Sequence, residues 1–507
     1  MTEVARSDGV RPAWLIALGV TLAHAAVIAQ YGVFRDELYY VACSRRLAWG
    51  YVDHPPGVAV LAWAARALFG ESLAALRVLP VLFGASTVLL TAAVVRRLGG
   101  GRFAAALAAL AVAVAPYYLF TFHVLSMNGA EVLLWTLAAW LIVVAVQTGR
   151  PWPWLALGVV AGVGLLNKIS MGVFGAGLAA GLLLTPAWRH FRTPWPWVAA
   201  LLAAAIFAPH LLWQAQHGWP TAEFIGNAQR FKIAPLSIGA FLLEQVGMMH
   251  PLTAPLWLAG LFFFAVQAEG RLFRLFAWCY LVVLFVFVAQ QSKPYYLTPI
   301  YPVLFAGGAV ALERASEGWH RVRRSALALL LLGGLALAPL GLPVLPVRLY
   351  VAYQARLGFT PSAGERHELG ALPQHYADMF GWEELAQTVS RVYQALPEPE
   401  RATARVFAQN YGQAGAIERF AGRYPLPRVM SPHNNYWLWG PGADDGGTII
   451  IIGGRREDHL RALERVDEAA RTSCRLCMPY ERDQPIWVGR GWKVSLKAIW
   501  PAERKFI

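Results

Sequence analysis

Long apolar runs fill the first 345 residues of the chain and are separated by short polar loops. A helix of about 20 apolar residues crosses a bilayer, so each run predicts a transmembrane helix. We count about 11 of them and predict a polytopic α-helical membrane protein. The runs lie at 12–31, 73–95, 103–121, 129–146, 154–166, 170–186, 197–213, 252–267, 275–291, 295–312 and 325–345.

Beyond Leu345 the apolar density falls, and polar residues and amphipathic stretches continue to Ile507. We therefore predict two domains, a transmembrane domain over 1–345 and a soluble domain over 346–507. Strand patterns that alternate with helix patterns favour a small α/β fold for the second domain. The predicted helices are 382–396, 412–423 and 458–471, and the predicted strands are 404–409 and 448–452.

The composition, with 57% hydrophobic and 15% charged residues, excludes a soluble globular protein of 507 residues. Arginines are concentrated in every second loop, and the positive-inside bias places those loops in the cytoplasm. Loop 32–72 and, with an odd number of spans, the soluble domain then lie outside a bacterial inner membrane. The basic loops also explain much of the net charge of +14, so it does not predict nucleic-acid binding. The basic loop residues are Arg96, Arg97, Arg102, Arg150, Arg189, Arg192, Arg271, Arg274, Arg314, Arg321, Arg323 and Arg324.

Loop 32–72 carries an unusual number of carboxylates for a connection between two spans. Asp36 and Glu37 follow the first apolar run, and Asp53 and His54 precede a Pro-Pro-Gly turn at 55–57. The prolines fix the backbone and stop a helix from running through. Charged groups at a membrane edge are costly unless they bind or react, so these residues are candidates for catalysis and substrate binding.

Three cations in the outer loops are candidate ligands of an anionic lipid head group. Lys293 precedes a proline-initiated helix that carries Tyr295 and Tyr296, Lys168 lies between two spans, and Arg230 lies in the long loop 214–251. A phosphate needs such cations. Each also has a structural interpretation, since a lysine can snorkel at a helix end and an arginine can be solvated in a loop.

Glu131 follows Asn128 by three residues at the outer start of a predicted helix, so both side chains share one face. Glu131 is one candidate for a functional carboxylate. The alternative is a purely structural role, because an acidic residue in the first turn is favoured by the helix dipole.

Cysteine and histidine spacing does not predict a cofactor. Cys474 and Cys477 form one C-x-x-C motif, which favours a local disulfide in an oxidising compartment. A zinc site would need a second ligand pair, and unpaired thiols are the third interpretation. His54 and His250 lie on different loops and are weak evidence for a divalent metal ion.

Three separated motifs resemble the GT-C glycosyltransferases of family 39, which include protein O-mannosyltransferases and bacterial aminoarabinose transferases. The motifs are the acidic pair at 36–37, the Pro-Pro turn at 55–56 and Lys-Pro-Tyr-Tyr-x-x-Pro at 293–299. The likeness covers about 12–345. In the tail, Asn-Tyr-Gly at 410–412 and the segment 433–441 look like those of many bacterial members.

The resemblance implies transfer of a sugar from a polyprenyl-phosphate donor to a glycan, lipid or protein acceptor on the outer face, with inversion. It implies Asp36 as the catalytic base, which accepts the proton of the acceptor hydroxyl. Lys293, together with Lys168 or Arg230, would neutralise the departing lipid phosphate. The resemblance also implies that the protein contacts the membrane lipids.

The chain departs from the aminoarabinose transferases at several positions. Asp53 and His54 precede the Pro-Pro turn where those relatives carry Glu-Lys. Gly226 and Asn227 stand where a Glu-His pair precedes the Arg-Phe of the long outer loop. The first departure removes a phosphate-binding lysine, and the absence of the Glu-His pair argues against the metal site suggested for that subgroup. Where relatives carry an aspartate near the start of the fourth helix, this chain has Asn128 and Glu131, so the resemblance implies Glu131 as the second catalytic carboxylate.

Two other functions are compatible with the sequence. A transporter or flippase for an anionic lipid-linked substrate would also carry charged residues near its spans. It should contain broken helices near the midplane and an internal repeat. A scaffold whose outer domain binds partners would tolerate replacement of Asp36.

Overall fold

A computed structural model describes residues 11–358, 365–442 and 446–507. Its membrane part is built from helices in the order predicted from the apolar runs. The α-helices of this part are α1 Arg11–Ala26, α2 Arg35–Ser44, α3 Gly57–Phe69, α4 Leu73–Arg97, α5 Arg102–Val114, α6 Pro116–Thr121, α7 Met127–Thr148, α8 Pro151–Asn167, α9 Ser170–Leu183, α10 Trp195–Gln216, α11 Pro220–Asn227, α12 Ile238–Met248, α13 Ala254–Ala265, α14 Leu275–Ala289, α15 Tyr301–Ala315 and α16 His320–Leu337.

Within the described residues, six helices are long and apolar enough to cross a membrane, or eight if each of two bent pairs is one span. A polytopic helical protein is thus confirmed, while the count of about 11 spans stays a prediction. All 11 apolar runs contain helix, but several are short or interrupted. The run 103–121, for example, divides into α5 and α6 at Pro116, which lacks the N–H needed to continue a helix and starts the next one.

Close backbone contacts hold the helices of the membrane part together. A Cβ atom at Gly308 of α15 would lie 1.8 Å from the carbonyl oxygen of Leu256 in α13. A Cβ atom at Gly260 would lie 2.1 Å from the carbonyl oxygen of Leu304. Only glycine permits this approach of two apolar helices, a common device where lipid leaves no hydrophobic drive for association.

The soluble part contains a five-stranded sheet in the order β2-β1-β3-β5-β4. β1 is parallel to β2 and β3, whereas β5 is antiparallel to both β3 and β4. The predicted α/β fold is confirmed. Its elements are α17 Val347–Arg356, α18 Gln374–Ala377, α19 Trp382–Ala395, α20 Glu398–Thr403, β1 Arg405–Phe407, α21 Tyr411–Phe420, β2 Val429–Met430, α22 Asn435–Trp439, β3 Ile449–Ile452, α23 Arg456–His459, β4 Leu463–Arg471, β5 Pro485–Trp492 and α24 Leu496–Ile499.

The helix predicted over 458–471 is wrong, because most of this segment is the strand β4. Leu463 and Val466 are its buried apolar residues, and a spacing of three fits a helix face as well as an irregular strand. The segment forms a strand because it pairs with β5 along its length, with Val466 opposite Gly489. This tertiary pairing overrides the helical propensity of the Glu- and Ala-containing sequence.

One hydrophobic core joins the two parts of the chain. Leu38 and Tyr39 of α2 are buried in the same cluster as Trp382 and Val406 of the soluble part. A Cβ atom at Gly415 of α21 would lie 2.8 Å from the Cβ of Leu38, so α2 and α21 are in direct contact. The domain boundary at 345/346 stays a prediction, and it does not separate two independent cores.

The C-x-x-C motif is closed by a disulfide between Cys474 and Cys477, as the sequence favoured. Its Cα atoms are 5.9 Å apart, within the range that a disulfide spans. Cys43 and Cys279 are buried free thiols.

Candidate active site

Asp36 lies in the first turn of α2 at the contact with the soluble part. Its Oδ1 accepts a hydrogen bond of 2.9 Å from the Tyr411 hydroxyl. Tyr411 opens α21, where the side chain of Asn410 caps the helix by accepting from the Gln413 N–H at 3.0 Å. The Tyr411 ring stacks on Tyr39 with centroids 4.7 Å apart. The candidate catalytic carboxylate is therefore held by a residue 375 positions away in the chain.

Glu37 points the other way, into the membrane part, and is fully buried. Its two oxygens accept from Nε and Nη2 of Arg77 at 3.0 and 2.9 Å. The backbone N–H groups of Leu125 and Phe34 donate to the same two oxygens at 2.9 and 2.8 Å. All four carboxylate acceptor positions are occupied, so the described contacts leave Glu37 no position for a substrate.

Asp53 is connected to Asp36 through the stacked tyrosines. The Tyr39 hydroxyl donates to Oδ1 of Asp53 at 2.9 Å, and burial raises the pKa of Asp53 above its usual range. His54 is fully buried and stacks on Tyr51 at 4.7 Å. Its Nδ1 lies 2.8 Å from the carbonyl oxygen of Pro55, so the ring fixes the Pro-Pro turn.

Lys168 and Glu131 form a buried ion pair where the start of α7 meets the end of α8. The ammonium lies 2.7 Å from Oε2 of Glu131 and 2.9 Å from Oδ1 of Asn128. The Ser170 hydroxyl donates to the other oxygen of Glu131. Residues that the sequence identified separately are thus brought together, and both oxygens of Glu131 are engaged.

Tyr295 and Tyr296 lie between the two predicted lysines. The Lys168 ammonium is 4.5 Å from the Tyr296 ring centre and 5.5 Å from that of Tyr295. The Lys293 ammonium is 5.9 Å from the Tyr295 ring centre. Both distances of Tyr295 are within the range in which a ring attracts a cation. Arg230 is exposed on a π-helical turn, and its side chain makes no hydrogen bond or ion pair among the described residues.

Sequence analysis missed Glu365, the charged partner of Lys293. Lys293 forms an ion pair with Glu365 of the soluble part, whose Oε1 is also 3.7 Å from the Lys232 ammonium. Burial lowers the pKa of Lys232, whereas Glu365 raises the pKa of Lys293 against the effect of burial. The charge of Asp36 favours the protonated form of both lysines, which places the three groups in one electrostatic environment.

Two further polar residues beside Asp36 were also missed. The Arg35 guanidinium lies 4.7 Å from the Tyr411 ring centre and donates to the Tyr480 hydroxyl at 2.8 Å. Asp378 accepts the Arg35 N–H through its backbone carbonyl at 2.9 Å. Burial, opposed by Arg35, raises the pKa of Asp378 to about 7. The Asn-Tyr-Gly motif was the one sequence signal for this region.

An apolar cavity of about 570 Å³ lies between α3, α7 and α8. Pro56 and Gly57 of the Pro-Pro turn form part of its wall, and Ala130 and Asn167 border it beside Glu131 and Lys168. The cavity is therefore apolar, and two residues of its wall are the chain neighbours of a buried ion pair. In the described part of the chain, no three His, Cys, Asp or Glu side chains are grouped to hold a metal ion.

Comparisons with known proteins agree on the fold. Residues 53–213 match the family model of dolichyl-phosphate-mannose-protein mannosyltransferase. No curated protein is significantly similar to the chain. The crystal structure of ArnT from Cupriavidus metallidurans in the apo state is similar with a TM-score of 0.62 and 16% identity, over 94% of this chain and 97% of that one. The same protein bound to undecaprenyl phosphate gives a TM-score of 0.61 and 16% identity over the same shares. The chain is therefore a multi-pass membrane protein of the GT-C fold, similar to family 39 in the segment that the mannosyltransferase model matches.

Proposed function

We propose that this protein is a membrane glycosyltransferase that moves a sugar from a polyprenyl-phosphate donor to an acceptor hydroxyl at the outer membrane face. The observation that carries the proposal is the half-buried Asp36, which shares one electrostatic environment with Lys293 and Lys232, together with an apolar cavity whose wall includes the chain neighbours of Glu131 and Lys168. A base, cations for a phosphate and room for a lipid chain are the three things this reaction needs. The undecaprenyl phosphate bound to the structural neighbour supports this donor class.

Asp36 is the base in this mechanism. Tyr411 orients its carboxylate through Oδ1, which leaves Oδ2 for the acceptor hydroxyl. The acceptor oxygen attacks the anomeric carbon, its proton passes to Asp36, and the bond from that carbon to the phosphate oxygen breaks with inversion. Charge that develops on the departing phosphate is stabilised by Lys293 and Lys168.

The remaining carboxylates have supporting roles. Glu37 anchors the start of α2 through Arg77 and two backbone N–H groups, so it positions Asp36 rather than reacting. Glu131 holds Lys168 in place. Asp53 holds Tyr39, whose ring supports Tyr411.

The apolar cavity is the proposed site for the first prenyl units of the donor. Its lining is dominated by apolar side chains such as Leu133, Leu134 and Val163, and it includes Asn167, which precedes Lys168 in the chain. An apolar chain with an anionic end group matches this arrangement, because the chain is removed from water while the charge stays near a cation.

One observation favours a transporter as the second candidate. Two helix pairs are sharply bent, by 106° at Leu184–Thr185 and by 100° at Met249–His250. Broken helices are typical of transporters, although those usually bind their substrate at the break. Neither break contains one of the buried ion pairs described above.

The test is transfer of radiolabelled sugar from a panel of polyprenyl-phosphate donors in proteoliposomes. We expect transfer by the wild type and a loss of about 100-fold to 10,000-fold in Asp36→Asn, because the isosteric amide cannot accept the proton. Asp458→Asn, an exposed change in the soluble part, is the matched control. Equal rates for wild type and Asp36→Asn would remove Asp36 from catalysis, and net movement of intact donor across the bilayer without transfer would favour the transporter.

A further inference from the structure

The carboxylate of Glu365 is surrounded by groups that bind anions. It forms an ion pair with Lys293, its Oε1 is 3.7 Å from the Lys232 ammonium, and its Oε2 is 3.7 Å from Nε2 of His367. The Gln374 amide donates to Oε2 at 3.2 Å. The side chain is only 5% exposed. The Lys293 ammonium and the Gln374 amide donate hydrogen bonds to the carboxylate, and Lys232 and His367 lie just beyond hydrogen-bond distance. This arrangement is an oxyanion site that the protein fills with its own carboxylate.

The segment that carries Glu365 is docked on the loop that carries Lys232. Ile233 and Glu365 form an antiparallel bridge. The Arg366 N–H donates to the Lys232 carbonyl oxygen at 2.9 Å, and Arg366 Nε donates to the Ile233 carbonyl oxygen at 3.2 Å. These backbone contacts do not involve the Glu365 carboxylate, so the carboxylate can leave the lysines without loss of the docked segment.

The charges around Glu365 favour an anion that carries more negative charge than one carboxylate. Burial would raise the pKa of Glu365, but Lys293 and Lys232 lower it to about 2. One carboxylate thus faces two ammonium groups. The polyprenyl phosphate released by the reaction is a monoester with nearly two negative charges and matches them better, whereas the sugar-bearing donor is a diester with one negative charge. Lys293 also reaches the Tyr295 ring, next to the Tyr296 ring that Lys168 contacts, so the site adjoins the proposed reaction centre.

We propose that Glu365 occupies the phosphate position of the donor-free protein and that the phosphate of the lipid displaces it from Lys293 and Lys232. This inference rests on the proposed function for the identity of the ligand. It assigns Lys232 as a second phosphate ligand and Glu365 as an internal competitor. The competitor keeps two partly buried lysines paired while the site is empty, which avoids the cost of unpaired charges away from bulk water.

The proposal is tested with the full-length protein in lipid nanodiscs and undecaprenyl phosphate as the probe. Glu365→Gln removes the charge of the competitor and keeps its shape, so the dissociation constant of undecaprenyl phosphate is expected to fall at least about tenfold, which is about 1.4 kcal/mol. Glu368→Gln, an exposed glutamate three residues further on, is the matched control and should bind as the wild type does. In the Glu365→Gln background, Lys232→Met should weaken binding again.

Unchanged or weaker binding by Glu365→Gln, with an unchanged elution profile, would overturn the proposal, because a structural ion pair gives no competition. Inorganic phosphate tests whether the prenyl chain is needed for binding. If phosphate alone competes with undecaprenyl phosphate, the oxyanion site binds the phosphate group without the chain. Failure of wild type and all variants to bind any polyprenyl phosphate would overturn the proposed function together with this inference. Equal binding by wild type and Glu365→Gln would overturn the inference alone.

Discussion

Glu37 and Asp36 are neighbours in sequence, yet the structure predicts opposite consequences of removing their charges. In Glu37→Gln an NH2 group replaces one oxygen, so two of the four donors lose their acceptor. The Arg77 guanidinium, itself fully buried, keeps its charge without a partner carboxylate. Breaking a buried pair in this way costs about 3–5 kcal/mol. Asp36→Asn keeps the oxygen that accepts from Tyr411 and should cost less than about 1.5 kcal/mol.

These energies convert to a measurable difference in melting temperature. The entropy of unfolding is about 2.1 cal/mol/K per residue, or about 1 kcal/mol/K for a chain of 507 residues. Glu37→Gln should therefore melt about 3–5 °C below the wild type, and Asp36→Asn within about 2 °C of it. Intrinsic tryptophan fluorescence of the purified protein during heating provides the measurement. A melting temperature of Glu37→Gln equal to that of the wild type would refute the structural role of the Glu37–Arg77 pair.

Two further predictions concern Asp378 and Glu131. The pKa of Asp378 is about 7 in the folded protein and 3.8 ordinarily, so the folded state binds the proton more tightly and stability falls as the pH rises from about 4 to 7. Asp378→Asn removes this dependence and should raise the melting temperature at pH 8 but not at pH 4; a pH-independent difference would contradict the assignment. Glu131→Gln should retain sugar transfer within about tenfold, because both oxygens of Glu131 are engaged by Lys168 and Ser170. A loss of about 100-fold or more in the steady-state rate would instead identify Glu131 as a catalytic residue.

The fold was predictable where the signal is local. Long apolar runs locate helices reliably, since a helix in lipid satisfies its own backbone hydrogen bonds. β4 was not predictable, because its two buried residues fit either structure and its partner β5 lies about 20 residues later. The shared core was missed for a related reason: nothing in the sequence near Leu38 indicates that α21 will pack on it.

The residues of the candidate site were also predictable only where the signal is local. Asp36, Lys168, Lys293 and Glu131 were found because charges next to apolar runs are rare and noticeable. Glu365 was not found, because it lies in the polar soluble part, where a glutamate is common, and Tyr411 was noted only as part of the Asn-Tyr-Gly motif, without a role. Their relevance arises from contacts across the fold, which no local pattern encodes.

The hydrogen bond between Asp36 and Tyr411 also determines the stage of translation at which the site can form. Tyr411 is synthesised 375 residues after Asp36, a delay of roughly 20–75 s at ordinary rates of translation. Throughout that interval the nascent chain holds its carboxylate without the tyrosine that orients it. Under the proposed function, a chain that ends before residue 411 lacks the residue that orients the base, so we expect premature termination to give an inactive product.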